Sequence, residues 1–224
     1  MHLLAIGVAV VIVMSCTSSG SDASISPSIV STGPRPLPSP QTTSQVSLEA
    51  ALDQRRSVRS FLPDPLTDEE IGQLLWAAQG VTDPLGHRTA PSAGALFPLE
   101  LYAVTPTAAL HYEPAGHAVT VRLHGDHRPD LQAAAWGQDP VGEAPVTFVI
   151  TAVVERTAGK YGERATRYVR LEAGHVAQNI LLQAVALGLG AVPIGAFVDE
   201  RVAALLELPG AERPLYLVPV GHPR

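Results

Sequence analysis

The chain has 224 residues, a formal net charge of −6 at pH 7 and a single cysteine. The acidic balance argues against a nucleic-acid backbone as partner, and one cysteine excludes an internal disulfide or a thiolate metal cluster. With 46% hydrophobic and 16% charged residues, about one ordinary domain with a real core remains once the polar N-terminal stretch is set aside.

Residues 1–16 contain no Asp, Glu, Lys or Arg. Leu3 to Met14 is an apolar run too short for a comfortable membrane span and suited to a signal-peptide core. Val13-Met14-Ser15-Cys16 resembles a bacterial lipobox, although Lys and Arg are missing ahead of the run. The expectation is a lipoprotein leader over 1–16 with Cys16 lipidated. The mature chain would be an exported, membrane-tethered bacterial lipoprotein, touching the membrane through its lipid anchor only. A mis-assigned start codon or an uncleaved anchor is the rival. Residues 17–46 are dominated by Ser, Thr, Pro and Gly and read as a disordered tether. The folded domain is expected over 47–224.

Ser47 predicts an N-cap for a helix to about Arg55, with Leu48, Ala51 and Leu52 inward. Arg55-Arg56-Ser57-Val58-Arg59 follows. Thr67 and Glu70 form a capping box for a helix with Ile71, Leu74, Leu75 and Ala78 on one face, ending at Gly80. Pro91 to Pro98 is a tight turn or short helix. Leu99 to Thr105 reads as a strand, Leu110 to Leu123 as a hairpin turning at Pro114-Ala115-Gly116, and Arg128 to Ala135 as a helix. Val146 to Val154 is a continuous apolar and β-branched run, hence a central strand buried on both faces. Arg164 to Leu187 reads as one long helix. From Ile180 onward it is apolar nearly all round, the mark of a core or subunit-interface helix. It stops at Gly188, which suits a left-handed C-cap. Asp199 would cap a helix to Leu206, and Leu215 to Val220 is the last strand. Helices interleave with strands in no regular βαβ period, so the class is α+β.

Some residue groups invite chemistry. Arg55, Arg56, Ser57 and Arg59 combine guanidinium groups with a hydroxyl, a set that fits phosphate; a solvated charge cluster is the plainer alternative. Pro91, Ser92, Ala93, Gly94 and Ala95 form a small-residue turn on which a planar ring could rest. Pro193, Ile194, Gly195 and Ala196 form a second stretch of bare backbone.

In this order, these motifs resemble the nitroreductase-like FMN flavoprotein family, and within it the SagB-type dehydrogenase branch. Arg88 to Tyr102, Lys160-Tyr161, Leu171 to Asn179, Gly188-Leu189-Gly190 and Val218 to Gly221 extend the resemblance across about Ser47 to His222. It implies a mixed central sheet flanked by helices, with the long helix at the core of a homodimer and FMN at the subunit interface. Arg55 and Ser57, beside Arg56, would take the phosphate and ribityl end. Arg59 would approach the pyrimidine edge. The Pro91–Ala95 turn would lie along the ring, and backbone around Gly195-Ala196 would face flavin N5.

Lys160 and Tyr161 match the catalytic pair of azoline-oxidising members, in which the lysine would remove a ring proton if burial lowers its pKa; an exposed lysine beside a helix start is the plainer alternative. The implied activity is hydride transfer through N5 on an unknown small molecule or peptide, with NAD(P)H as a possible electron donor. The sequence ends at Arg224, whereas many relatives continue past the Gly221 position and supply further basic residues. The alternative expectation is therefore a non-catalytic flavin- or ligand-binding lipoprotein of the same fold. No metal site is expected at His124, Asp126 and His127, and His175 is expected to be packed and hydrogen-bonded.

Overall fold

The computed structural model describes residues 33–224. The leader, Cys16 and the first part of the tether lie outside the described residues. The last part of the tether is ordered, which corrects its assignment. Strand β1 (Arg35–Pro36) pairs with the far edge of the sheet, Leu37 is buried, and Arg35 clasps Asp68 at 2.5 and 3.1 Å. Gln41 and Gln73 exchange two hydrogen bonds, at 2.8 and 3.0 Å. Nothing periodic in residues 33–46 announces this, because the order comes from partners distant in sequence.

Helix α1 (Leu48–Gln54) starts where Ser47 caps it. Its inward face is smaller than expected: Ala51 is buried, while Leu48 and Leu52 are 61% and 53% exposed. Helix α2 (Asp68–Gln79) has the full Thr67–Glu70 capping box and buries Ile71, Leu74, Leu75 and Ala78. A 3₁₀ turn (Ala93–Ala95) leads to β2 (Leu99–Val104), β3 (Ala108–Glu113) and β4 (Ala118–His124). The hairpin between β3 and β4 turns at Pro114–Gly116. Helices α3 (Arg128–Ala134) and α4 (Asp139–Glu143) precede β5 (Val146–Val153). Helix α5 (Glu155–Tyr161) precedes α6 (Ala165–Ala186), and β6 (Gly190–Ala191), α7 (Asp199–Leu205) and β7 (Glu212–Gly221) complete the chain. Helices α4 and α5 have no counterpart in the sequence reading. Each is short, and Gly142 or Gly159 dilutes its helical pattern. Val198, not Asp199, occupies the N-cap of α7.

The sheet runs β1-β4-β3-β2-β5-β7-β6. Every ladder is antiparallel, and the parallel pairing is a single bridge between Ser57 and Ala191. β5 lies between β2 and β7 and is buried from Val146 to Ala152. Its alternate residues Val146, Phe148, Ile150 and Ala152 join α2 and α6 in one core, while Val149 joins residues of α3, α4 and α7 in another. Two covered faces explain the continuous apolar run. At the end of α6 the Leu189 N–H donates to the Ala184 carbonyl at 2.8 Å and the Gly188 N–H to Val185 at 3.0 Å. With Gly188 at φ +72°, this is a Schellman cap. It turns the chain straight into β6, so the stretch after the helix emerges beside the sheet edge.

Candidate active site

The cation-rich stretch after α1 is stitched to β6. Val58 N–H donates to the Ala191 carbonyl at 3.0 Å, and Ser57 forms the parallel bridge. A Cβ on Gly190 would stand 2.7 Å from the Cβ of Val58, so glycine is what lets the two backbones meet. The result is a cleft of about 380 Å³ lined by Arg59, Gln138, Asp139, Pro140 and residues 192–196. Arg59, Pro193, Ile194, Gly195 and Ala196, expected to share a site, are brought together here.

The backbone on the far wall is half committed. Val192 and Ile194 donate their N–H groups to Pro219 and Leu217 in β7. The N–H groups of Gly195 and Ala196 donate to no acceptor among the described residues, and both residues are exposed. Gln138 Nε2 clamps the carbonyls of Ala196 and Ala135 at 2.8 and 2.9 Å, fixing the orientation of that peptide. Sequence reasoning missed Gln138; a contact across 58 positions leaves no local signal. Arg59 is exposed, and its one side-chain bond is a long one, 3.4 Å, to the Ser57 carbonyl. Arg55 is half-buried. Arg56 has a different task from the one expected. Its guanidinium folds back onto the carbonyls of Asp53 and Arg55 at 2.7 and 2.8 Å, satisfying the end of α1.

The second group is the turn from Pro91 to Pro98. Gly94, Ala95 and Phe97 have φ of +66°, +55° and +44°, a concentration of left-handed backbone in which the two non-glycine residues cost about 1 kcal/mol each. Several contacts hold it. The Phe97 N–H donates to Ser92 Oγ at 2.9 Å, the Ala95 N–H to the Ser92 carbonyl at 3.0 Å, and Arg156 Nη1 to the Phe97 carbonyl at 3.3 Å. The Arg88 guanidinium lies 4.2 Å from the Phe97 ring centroid. Beneath the turn, Glu172 of α6 is 2% exposed. Burial raises its carboxyl above the usual range, against hydrogen bonds from Ser92 and Gln79 and the charge of Arg88. Arg88 Nη1 in turn donates to Gln79 Oε1 at 2.8 Å.

Lys160 and Tyr161 join this second group. A Cβ on Gly94 would stand 2.9 Å from Tyr161 Oη and 3.0 Å from Lys160 Nζ. The pair therefore sits on the turn, with Tyr161 braced edge-on by Tyr168 at 5.0 Å. Arg59 and the 193–196 backbone on one side, and Ser92 to Ala95 with Lys160 and Tyr161 on the other, are linked by no hydrogen bond among the described residues. The arrangement offers cations, N–H donors with no acceptor among the described residues, an amine and a phenol around surfaces of bare backbone.

One other expectation is corrected. His175 is exposed and makes no hydrogen bond among the described residues, because it lies on the outer side of α6. Asp126 is bound by Arg128 at 2.6 Å, and His127 Nε2 contacts the His124 carbonyl at 3.1 Å.

A family model described as the nitroreductase family matches residues 52–222. A protein named as a nitroreductase in Methanocaldococcus jannaschii is 42% identical over 184 residues, covering 80% of this chain and 92% of that one. A Bacillus subtilis FMN reductase [NAD(P)H] is 26% identical over 191 residues, covering 77% of this chain and 64% of the reductase. Among solved structures, a protein from Ralstonia eutropha described as a nitroreductase superposes with a TM-score of 0.77 at 31% identity, covering 85% and 94% of the two chains. A chain of the Escherichia coli microcin synthetase McbBCD complex, solved with truncated pro-MccB17 bound, superposes at 0.69 with 25% identity, covering 76% and 70%.

Proposed function

Because this chain belongs to the nitroreductase family and is a flavin-dependent oxidoreductase, we propose that its flavin is FMN and that it acts as a SagB-type dehydrogenase on a small molecule or peptide. The observation that carries this reading is the wall formed by Gly195 and Ala196. The N–H groups of Gly195 and Ala196, which find no acceptor among the described residues, stand in one cleft with the Arg59 guanidinium. Such a wall stabilises negative charge developing on a flat ring.

Other residues fit the same cofactor. Arg55 and Ser57 are the groups available for the phosphate and ribityl chain, and Arg59 for the pyrimidine edge. The Ser92–Ala95 turn is exposed in part and held in its strained form by Ser92 and Arg88, so it offers a ring a fixed stretch of backbone beside Lys160 and Tyr161. When bound, FMN would supply the two-electron chemistry, and the protein supplies placement and charge. Lys160 is the group we assign to take the proton from the substrate once bound ligands cover its amine from water, with Tyr161 fixing its approach. Support for a peptide substrate comes from the likeness to a microcin synthetase chain solved with truncated pro-MccB17 bound; NAD(P)H as donor is supported by the likeness to the Bacillus reductase.

A homodimer completes the reading. Leu48 and Leu52 of α1 and Leu171 of α6 are exposed at 61%, 53% and 52%. A groove of about 360 Å³ runs between residues 41–48 and the second half of α6. These apolar surfaces are what a partner subunit would cover. The lipoprotein leader ending at Cys16 remains part of the proposal. Radiolabelled fatty acid is expected to mark Cys16, and a chain that takes up no label would remove it.

The deciding experiment is the visible spectrum of the domain from Gly33 onward, soaked with FMN and gel-filtered. A retained flavin spectrum that bleaches with NAD(P)H, on a particle of dimeric mass, is the expected result. A protein that stays colourless overturns the FMN assignment. A protein that keeps flavin which no donor reduces makes it a binding protein of the same fold.

A further inference from the structure

Gly195 faces two clefts. One is the Arg59 cleft described above. The other, of about 310 Å³, lies between α6 and the start of β7 and is lined by Arg170, Gly174, Phe197, Asp199 and Tyr216 among others. Its volume is at the lower end of small-molecule sites, about 300–1,000 Å³, enough for a ligand of one ring.

The chemistry of this second cleft is specific. Arg170 and Gly174 are four apart on α6 and so share a face. Arg170 is exposed and makes no hydrogen bond or ion pair among the described residues. A Cβ on Gly174 would meet nothing within 4 Å, whereas one on Gly195 would lie 3.8 Å from Tyr216 Cε2. Glycine therefore leaves open floor beside Arg170, and the Tyr216 ring flanks the Gly195 wall. Asp199 supplies one carboxylate to the same cleft.

We propose that this cleft binds the substrate's own anchoring group, and that the substrate is a flat molecule carrying one carboxylate, held by Arg170. This rests on the flavin reading, because Gly195 lines both clefts and a molecule anchored at Arg170 would reach past it to the cofactor. Arginine takes a carboxylate through two parallel N–H donors. Tyr216 and Phe197 accept the ring. Asp199 restricts the charge: a second anionic group would meet it, so monoanions are selected over dianions.

The test uses the full chain loaded with FMN and titrated by calorimetry with benzoate, benzamide and benzene-1,3-dicarboxylate. Benzoate is expected to bind at least about tenfold more tightly than benzamide and more tightly than the dicarboxylate. Arg170→Ala should abolish the preference for benzoate, Arg170→Lys should keep part of it, and Asp199→Asn should recover the dicarboxylate. Because both side chains are exposed, thermal melting should be unchanged in all three variants. Benzoate that binds no better than benzamide, or equally well to Arg170→Ala, overturns the proposal. So does loss of FMN itself in Arg170→Ala, which would give the cleft to the cofactor. If the parent chain takes up no flavin, the FMN reading fails separately, and the same titrations on that protein decide the Arg170 proposal by the same criteria.

Discussion

Val58 and Gly190 approach so closely that a Cβ added to Gly190 would stand 2.7 Å from both Cβ and Cγ1 of Val58. This contact, with the Val58–Ala191 hydrogen bond at 3.0 Å, holds the Arg55–Arg59 stretch against the strand that leads into Gly195 and Ala196. Gly190→Ala should therefore cost roughly 1–3 kcal/mol of stability. It should also weaken FMN binding, since it separates Arg59 from the backbone wall. Urea denaturation and a flavin titration of the same variant check both effects. A variant as stable and as avid as the parent would show that the two segments are not held by this approach.

Gly94→Ala tests the second group. The position has φ +66°, so alanine costs about 1 kcal/mol, equivalent to about 2–4 °C in a domain of this size. The new Cβ would also displace the flexible ends of Lys160 and Tyr161. Turnover should fall well beyond what the small stability loss explains. A melting curve beside steady-state kinetics separates the two effects.

Arg59 and Lys160 should fail differently. Both are exposed, so neither Arg59→Ala nor Lys160→Met should move the melting temperature appreciably. Arg59→Ala removes a cation from the flavin cleft and should weaken FMN binding and lower its reduction potential. Lys160→Met should keep a normal flavin spectrum and potential but lose the step that needs a base. Spectroelectrochemistry on both variants, with turnover on a proton-releasing substrate, gives the comparison. Identical phenotypes would contradict the assigned roles.

Glu172 makes stability depend on pH. Burial raises its carboxyl above the ordinary range despite Ser92, Gln79 and Arg88, so the folded chain binds this proton more tightly than the unfolded chain does. The stability that it contributes is full below the ordinary glutamate value and is lost as pH rises through the raised one. Glu172→Gln removes that dependence. The stability of the variant relative to the parent should rise as pH increases from the ordinary glutamate range through the raised value, and then level off. Denaturation midpoints across that range would settle it, and a flat difference rejects the assignment.

The sequence by itself determined the elements whose signal is local. The capping box at Thr67 and Glu70, the β-branched run of β5, the apolar spacing of α6 and the glycine after it are each written within a few residues. The Arg55–Arg59, Pro91–Ala95 and Lys160–Tyr161 groups were legible as chemistry, because residue type alone limits what they can do. Only the tertiary structure decided how they combine. It turned Arg56 into a helix cap, packed residues 35–46 against the domain, left His175 exposed, and set Lys160 and Tyr161 on Gly94. It also exposed the free N–H groups of Gly195 and Ala196, the Gln138 clamp and the open cleft beside Arg170. Each of these depends on which backbone groups find a partner far away in sequence, and that is settled by strand pairing and close packing, not by local composition.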